Sequence, residues 1–200
     1  MAAWGHLQMT TATSDWPILG RTFLVGLGSK ARQGKDTVAQ GLLHTYCTVG
    51  HRVSFADAVR AVCRVNHGMT RKDPALLQHI GVGRRQTDPD IWVRTVAWQL
   101  QEWQDDATGV QMVIIPDLRF PNEADWIKRH GGLVLDVRRY RPDGTRMIAT
   151  DRDPAHVSET ALDGYAFDGI VDNIEAQPSR AIDAAFRIVQ PRWLRARFWA

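Results

Sequence analysis

The first clear pattern along the chain is a short apolar run at residues 21–27 (RTFLVGL), closed by glycines, which predicts a strand buried on both faces. Residues 35–49 switch to helical spacing, with Val38, Leu42, Tyr46 and Val49 on one face and Gly50 as the stop. A second strand is predicted over 52–56, and helices over 57–66 and 74–80. Asp88 and Pro89 read as the N-cap and first residue of a longer helix, whose inner face carries Trp92, Val96, Leu100 and Trp103. Residues 111–116 (QMVIIP) form the next strand, 121–130 a helix closed by Gly131 and Gly132, and 133–137 another strand. The stretch 138–155 is polar, arginine-rich and aperiodic, and a last strand and helix are predicted over 169–171 and 178–188. Residues 1–20 show no periodicity and read as an N-terminal extension. Strands that alternate with helices predict a three-layer α/β domain over 21–190, a parallel sheet with helices on both faces, followed by a basic aromatic tail at 191–200.

Composition narrows this picture. The 200 residues suffice for one α/β domain with a sizeable core. An apolar share of 44% with 24% charged residues is globular rather than disordered. The net charge of +3 is too small to point to a nucleic-acid or membrane partner. Of the 25 basic residues, 21 are Arg and four are Lys, and two of those four, Lys30 and Lys35, share one glycine-containing segment. No apolar run approaches the ~20 residues of a bilayer span. The N-terminus lacks the basic-then-apolar pattern of a secretory leader. Cys47 and Cys63 supply neither a disulfide framework nor zinc-type spacing. The expected location is the cytoplasm.

The glycine-containing segment is the most informative. Residues 26–37 (GLGSKARQGKDT) leave a predicted strand and open a predicted helix, so backbone N–H groups and the helix N-terminus converge where an anion would sit. Against the phosphate-loop pattern G-x-x-x-x-G-K-[ST], Gly34 and Lys35 fit, Ser29 stands at the first glycine, and Asp36 stands at the hydroxyl position with Thr37 next. The candidate phosphate-binding residues are Gly28, Ser29, Lys30, Ala31, Arg32, Gln33, Gly34, Lys35, Asp36 and Thr37. Lys35 is placed to bridge the β- and γ-phosphates of ATP. The missing hydroxyl at position 36 leaves Thr37 or Asp36, directly or through water, to approach Mg²⁺.

GSKARQGKDTVA (28–39) resembles the loop of the bacteriophage-type deoxynucleoside monophosphate kinases, in which Asp commonly follows the loop Lys. SFADAVR (54–60), LLQHIGVGRRQTDPDIWVR (76–94), VIIPDLRFPNEAD (113–125), HVSETALD (156–163) and VDN (171–173) are similar to further elements of that family in the same order. The resemblance spans about residues 21–175, and Ser29 departs from the family's usual Gly. It implies ATP-dependent phosphoryl transfer to a deoxynucleoside monophosphate, giving the diphosphate. The implied fold has a parallel-sheet core, an acceptor-binding helical insertion at about 57–106 and a lid at about 138–160.

Phosphoryl transfer needs positioned and neutralised phosphates rather than a nucleophilic triad. Asp117, at an apolar strand end, is the best acidic candidate for Mg²⁺, with Asp36 and Thr37 beside it. Lys35 and Arg119 are candidate catalytic cations, and the family pattern adds Arg138 and Arg139 in the lid. The acceptor candidates are Asp57, Arg84 or Arg85 as a guanidinium fork, and Asp88, Trp92 and Glu159. Each has an ordinary structural alternative: a helix cap for Asp57, an ion pair with Glu123 for Arg119, core packing for Trp92, a solvated loop for the lid arginines. The cofactors implied are ATP and Mg²⁺, and the partners are small-molecule nucleotides. Nucleic acid is not expected unless the acceptor is a hydroxymethylated base in DNA, no membrane is expected, and a homodimer stays open. Two other readings also stay open: a phosphate-loop kinase acting on that DNA base or on a dephospho-coenzyme-A-like molecule, and a non-catalytic nucleotide-binding module. The second rests on the tail, where Trp193, Phe198 and Trp199 are interleaved with Arg and would pack on a partner or on the domain itself.

Overall fold

The computed structural model describes residues 22–45, 50–104, 111–151 and 153–199. Five strands, β1 (Thr22–Gly28), β2 (Gly50–Arg52), β3 (Gln111–Ile115), β4 (Leu133–Tyr140) and β5 (Gly169–Ile174), form one sheet in the order β2-β3-β1-β4-β5. Every neighbouring pair is parallel, so the chain must return over a sheet face between strands. The helices are α1 (Lys35–Thr45), α2 (Phe55–His67), α3 (Pro74–Thr87), α4 (Ile91–Gln104), α5 (Pro121–Arg129), the single turn α6 (Val157–Thr160) and α7 (Pro178–Trp199). The expected three-layer parallel α/β architecture is what the chain forms.

The continuous apolar runs of β1, β3 and β4 follow from burial on both faces. Leu24, Val113, Ile115 and Val134 face Val59 of α2, Trp92, Val96 and Leu100 of α4, and Trp126 of α5. Their neighbours Val25, Ile114, Leu135 and Val137 face Val38 and Leu42 of α1 and a stripe along α7. β1 lies at the centre of the sheet, with the order reversing around it, and its C-terminal end is where a parallel sheet opens a crevice for ligands.

Several boundaries differ from expectation. Phe55 and Ala56 belong to α2 rather than the second strand, since Ser54 ends the extended backbone and stands as the helix N-cap. α3 does not stop at Ile80. It runs through Gly81 and Gly83 to Thr87, so Arg84 and Arg85 lie in its last turn and not in a glycine turn. Asp88 is the C-cap of α3, and α4 begins at Ile91, with Ile91 N–H donating to Asp88 O at 3.2 Å. β4 runs three residues further, to Tyr140, which puts Arg138 and Arg139 on a strand instead of in a lid. β5 likewise continues to Ile174.

α7 does not stop before the tail but passes through Pro191. The proline removes one hydrogen-bond donor and costs a helix about 3 kcal/mol. Ala181, Ala185, Val189 and Trp193, spaced four apart, are all buried, and the indole of Trp193 meets the Phe23 ring at a centroid distance of 5.9 Å. A fully buried large side chain contributes about 3 kcal/mol, enough to offset the proline. Trp193 thus packs on the domain itself, while Leu194 and Phe198 stay exposed on the same helix. The N-terminal extension, Tyr46, Cys47, Val49 and Arg152 lie outside the described residues, as do the side chains of Trp103 and Trp199. No helix among the described residues is long and apolar enough to cross a membrane.

Candidate phosphate-binding site

The loop between β1 and α1 holds its shape through ties from distant parts of the chain. Gln33 is buried; its Nε2 donates to Met147 O at 2.9 Å and Ala31 O at 3.2 Å, and its Oε1 accepts from Arg139 N at 2.7 Å. Asn173 Nδ2 donates to Gln33 O at 3.0 Å. Gly34 has φ +85°, and a Cβ there would stand 2.1 Å from Asn173 Nδ2, so no side chain is admissible on either count. Ser29 has φ 111°, which explains why the loop pattern asks for glycine: the serine here carries backbone strain on the order of 1–3 kcal/mol.

Lys35 opens α1 and is buried beneath the loop, its Nζ donating to Lys30 O at 2.5 Å and Ser29 O at 3.1 Å. Burial, and then the neighbouring Arg119 guanidinium, push the Lys35 ammonium down to about 7, while Glu159, Asp117 and Asp36 pull the other way. A phosphate at the N-terminus of α1 would favour the charged form further.

Arg119, just past β3, donates from Nη1 to Ser29 O at 3.1 Å and to Glu159 Oε1 at 3.1 Å. Its ion pair is with Glu159 rather than Glu123, whose carboxylate takes only the Arg119 backbone N–H, at 2.8 Å. Glu159 is nearly fully buried, and its second oxygen accepts from Ala31 N at 2.7 Å. One carboxylate from α6 therefore joins the loop backbone to the arginine beside Lys35.

Asp117, the acidic candidate for Mg²⁺, also has a structural task. Its carboxylate accepts from Ser54 Oγ at 2.6 Å, Ala56 N at 2.7 Å and Phe55 N at 3.1 Å. It caps the N-terminus of α2 and so ties that helix to the end of β3. Asp36 is exposed and pairs with Arg52 at 2.9 Å, and Thr37 is exposed. Among the described residues no three His, Cys, Asp or Glu gather as a metal site; Asp117 and Asp36 both lie near enough to Lys35 to raise its pKa.

The acceptor candidates are mostly engaged with other groups of the fold. Asp57 pairs with Arg60 one turn on, and Asp88 with Arg94. Arg84 is exposed. Arg85 pairs with the fully buried Glu123 and covers the Phe120 ring, 4.1 Å from its centroid. Burial raises the Glu123 pKa, and Arg85 is the first of the groups that restrain it. Trp92 is core, with Nε1–H donating to Gly81 O at 3.0 Å, which leaves its polar atom satisfied inside the helical layer. Strand alternation separates the two lid arginines: Arg138 Nε donates to Asp136 at 2.6 Å on the α2–α5 face, while Arg139 reaches Glu175 at 3.1 Å from the other.

Sequence reasoning missed Ser54, Asn173 and Asp136. Ser54 and Asn173 gave no local signal, because both act on residues distant in sequence. Asp136 did give one: it is the lone acid in the apolar stretch LVLDV, on a strand expected to be buried on both faces.

The fold and loop geometry can be set beside known proteins. The crystal structure of an unliganded sugar kinase from Janibacter sp. HTCC2649 is similar with a TM-score of 0.45 and 17% identity, over 83% of this chain and 93% of that one. Shikimate kinase from Aquifex aeolicus vf5 is similar with a TM-score of 0.44 and 12% identity, over 86% of this chain and 99% of that one. No protein-family model and no curated protein matches the chain. Likeness at this level says nothing about chemistry, which rests on the residues themselves.

Proposed function

We propose that this protein is a phosphate-loop kinase that transfers the γ-phosphoryl group of ATP to a deoxynucleoside monophosphate. The observation that carries the reading is the position of Lys35: a buried amine under the strand–loop–helix turn at the C-terminal end of the central strand, held by the carbonyls of Ser29 and Lys30 beside Arg119. A P-loop Lys and a nearby guanidinium are the groups that neutralise transferring phosphates. The deoxynucleoside monophosphate acceptor rests on the six ordered motifs. In the transfer the bond from the γ-phosphorus to the β–γ bridging oxygen breaks, and an oxygen of the acceptor phosphate takes its place, giving ADP and the deoxynucleoside diphosphate.

The donor set fits magnesium carried in on nucleotide phosphates, with the protein adding one or two oxygen ligands. Asp117 would be the carboxylate for this, through water, because both its oxygens already accept hydrogen bonds. Bound magnesium would supply charge neutralisation across the phosphates.

A coupled ADP-release assay across deoxynucleoside monophosphates, ribonucleoside monophosphates and DNA oligomers tests the reading. Turnover is expected with one or more deoxynucleoside monophosphates. Turnover only with DNA, or ATP binding without turnover, would overturn it in favour of a DNA-base kinase or a non-catalytic module.

A further inference from the structure

Beside the phosphate loop, at the C-terminal ends of β1 and β4, lies a cavity of about 260 Å³. It sits on the α2–α5 face of the sheet, because Asp136 and Arg138 follow Val134 by two-residue steps. Arg119 lines it and touches the loop at Ser29 O, so the cavity opens from the place where phosphates would be handled.

Four basic side chains line it, three of them paired: Lys30 with Asp163 at 3.1 Å, Arg119 with Glu159 at 3.1 Å and Arg138 with Asp136 at 2.6 Å. Arg146 has no acid partner among the described residues, which leaves one surplus positive charge at the rim. Leu162, Tyr165 and Phe167 add an apolar and aromatic part to the lining. Phe167 packs so closely that a Cβ on Gly28 would meet its ring at 2.7 Å. Asp136, also in the lining, is 5% exposed. Arg138 occupies its Oδ2, and its Oδ1 is buried with no hydrogen-bond partner among the described residues. A buried acceptor without a donor is costly. Arg138, about one third exposed, is the side chain whose rotation toward a phosphate would uncover that oxygen.

We propose that this cavity, rather than the α2–α4 helices, is the acceptor pocket, and that Asp136 reads an N–H donor on the ring of the bound deoxynucleoside monophosphate. This rests on the phosphoryl-transfer reading above and deepens it. Basic side chains for the phosphate, aromatic side chains for a planar ring and one buried acceptor without a donor are the three features such a ligand needs from a small pocket. An unsatisfied acceptor also gives discrimination, because a ring that lacks the donor leaves the carboxylate unpaired.

The test is steady-state kinetics on the full chain with each deoxynucleoside monophosphate in turn. Asp136→Asn keeps the size but removes the negative charge and replaces one acceptor oxygen with an N–H₂ donor. Its acceptor KM is expected to rise at least tenfold on the best wild-type substrate, with the ATP KM within twofold and the order of preferred bases changed. Arg146→Ala, at an exposed position that cannot unfold the chain, is expected to raise the acceptor KM several-fold with the ATP KM likewise unchanged. If wild type turns over and both variants keep wild-type acceptor KM values, the pocket is wrong and the reaction stands. If wild type turns over no deoxynucleoside monophosphate, both are overturned.

Discussion

The two sides of the central strand are built differently. On the β4 side, the loop is fixed by buried ties that span the sequence: Gln33 to Arg139 and Met147, Asn173 to Gln33, Glu159 to Ala31. On the β2 side, the charges of the helical insertion mostly find near neighbours, as in Asp57–Arg60 and Asp88–Arg94, at partly exposed positions. Buried long-range ties determine where atoms sit, and breaking one strands its partner; exposed short-range pairs contribute little and can be lost. The loop side is therefore fixed by such ties, whereas the insertion side is anchored at Asp117 and Glu123 and otherwise carries surface pairs.

The sharpest way to break this contrast is at Lys35. Lys35→Ala is expected to reduce kcat by about a thousandfold or more in the ADP-release assay, with the circular dichroism spectrum retained. The same residue sets a pH dependence of stability. Its folded value of about 7 lies below the ordinary lysine value of 10.5, so between these pH values the unfolded chain binds the extra proton and stability rises with pH. Wild-type urea midpoints should climb from pH 7 towards pH 10, and Lys35→Ala should flatten that climb. A wild-type midpoint that falls over the range would contradict the buried amine.

Next in size is Glu159. Glu159→Ala leaves Arg119 and Ala31 N–H without their carboxylate and is expected to cost about 2 kcal/mol, read as a lower urea midpoint. Glu159→Gln, which keeps an acceptor, should lose less. Ser29→Gly runs the other way: it relieves the left-handed φ and should add about 1 kcal/mol. The smallest effect belongs to the insertion side. Asp57→Ala should leave stability within about 0.5 kcal/mol, a shift in thermal midpoint near the limit of calorimetry. A loss as large as that of Glu159→Ala would erase the distinction between the two sides.

Much of the fold was legible because parallel strands buried on both faces announce themselves as apolar runs: β1, β3 and β4 all do so. The loop was legible because its chemistry is local. The α3 end was not, since Gly81 and Gly83 read as breakers, whereas Gly81 O accepts from Trp92 Nε1 and Arg85 Nη1 and is absorbed into the α3–α4 packing. Pro191 misled in the same way, because the burial of Trp193 that overrides it is a tertiary fact. The acceptor residues were the hardest to read. Charge and spacing mark Arg85 and Asp88 as available, but only the fold shows that Glu123 and Arg94 already hold them.

Gln33 has a consequence that concerns time rather than place. Its one side chain closes hydrogen bonds with the loop, the end of β4 and the turn that carries Met147. Opening any of these exposes the others, so the amides of this neighbourhood should form a single cooperative unit in native-state hydrogen exchange. The Arg139 amide, bonded to a side chain and not to another strand, then reports on the loop from 106 residues away. Its exchange rate should slow when a nucleotide holds the loop, and it offers a spectroscopic clock for an event at the other end of the chain.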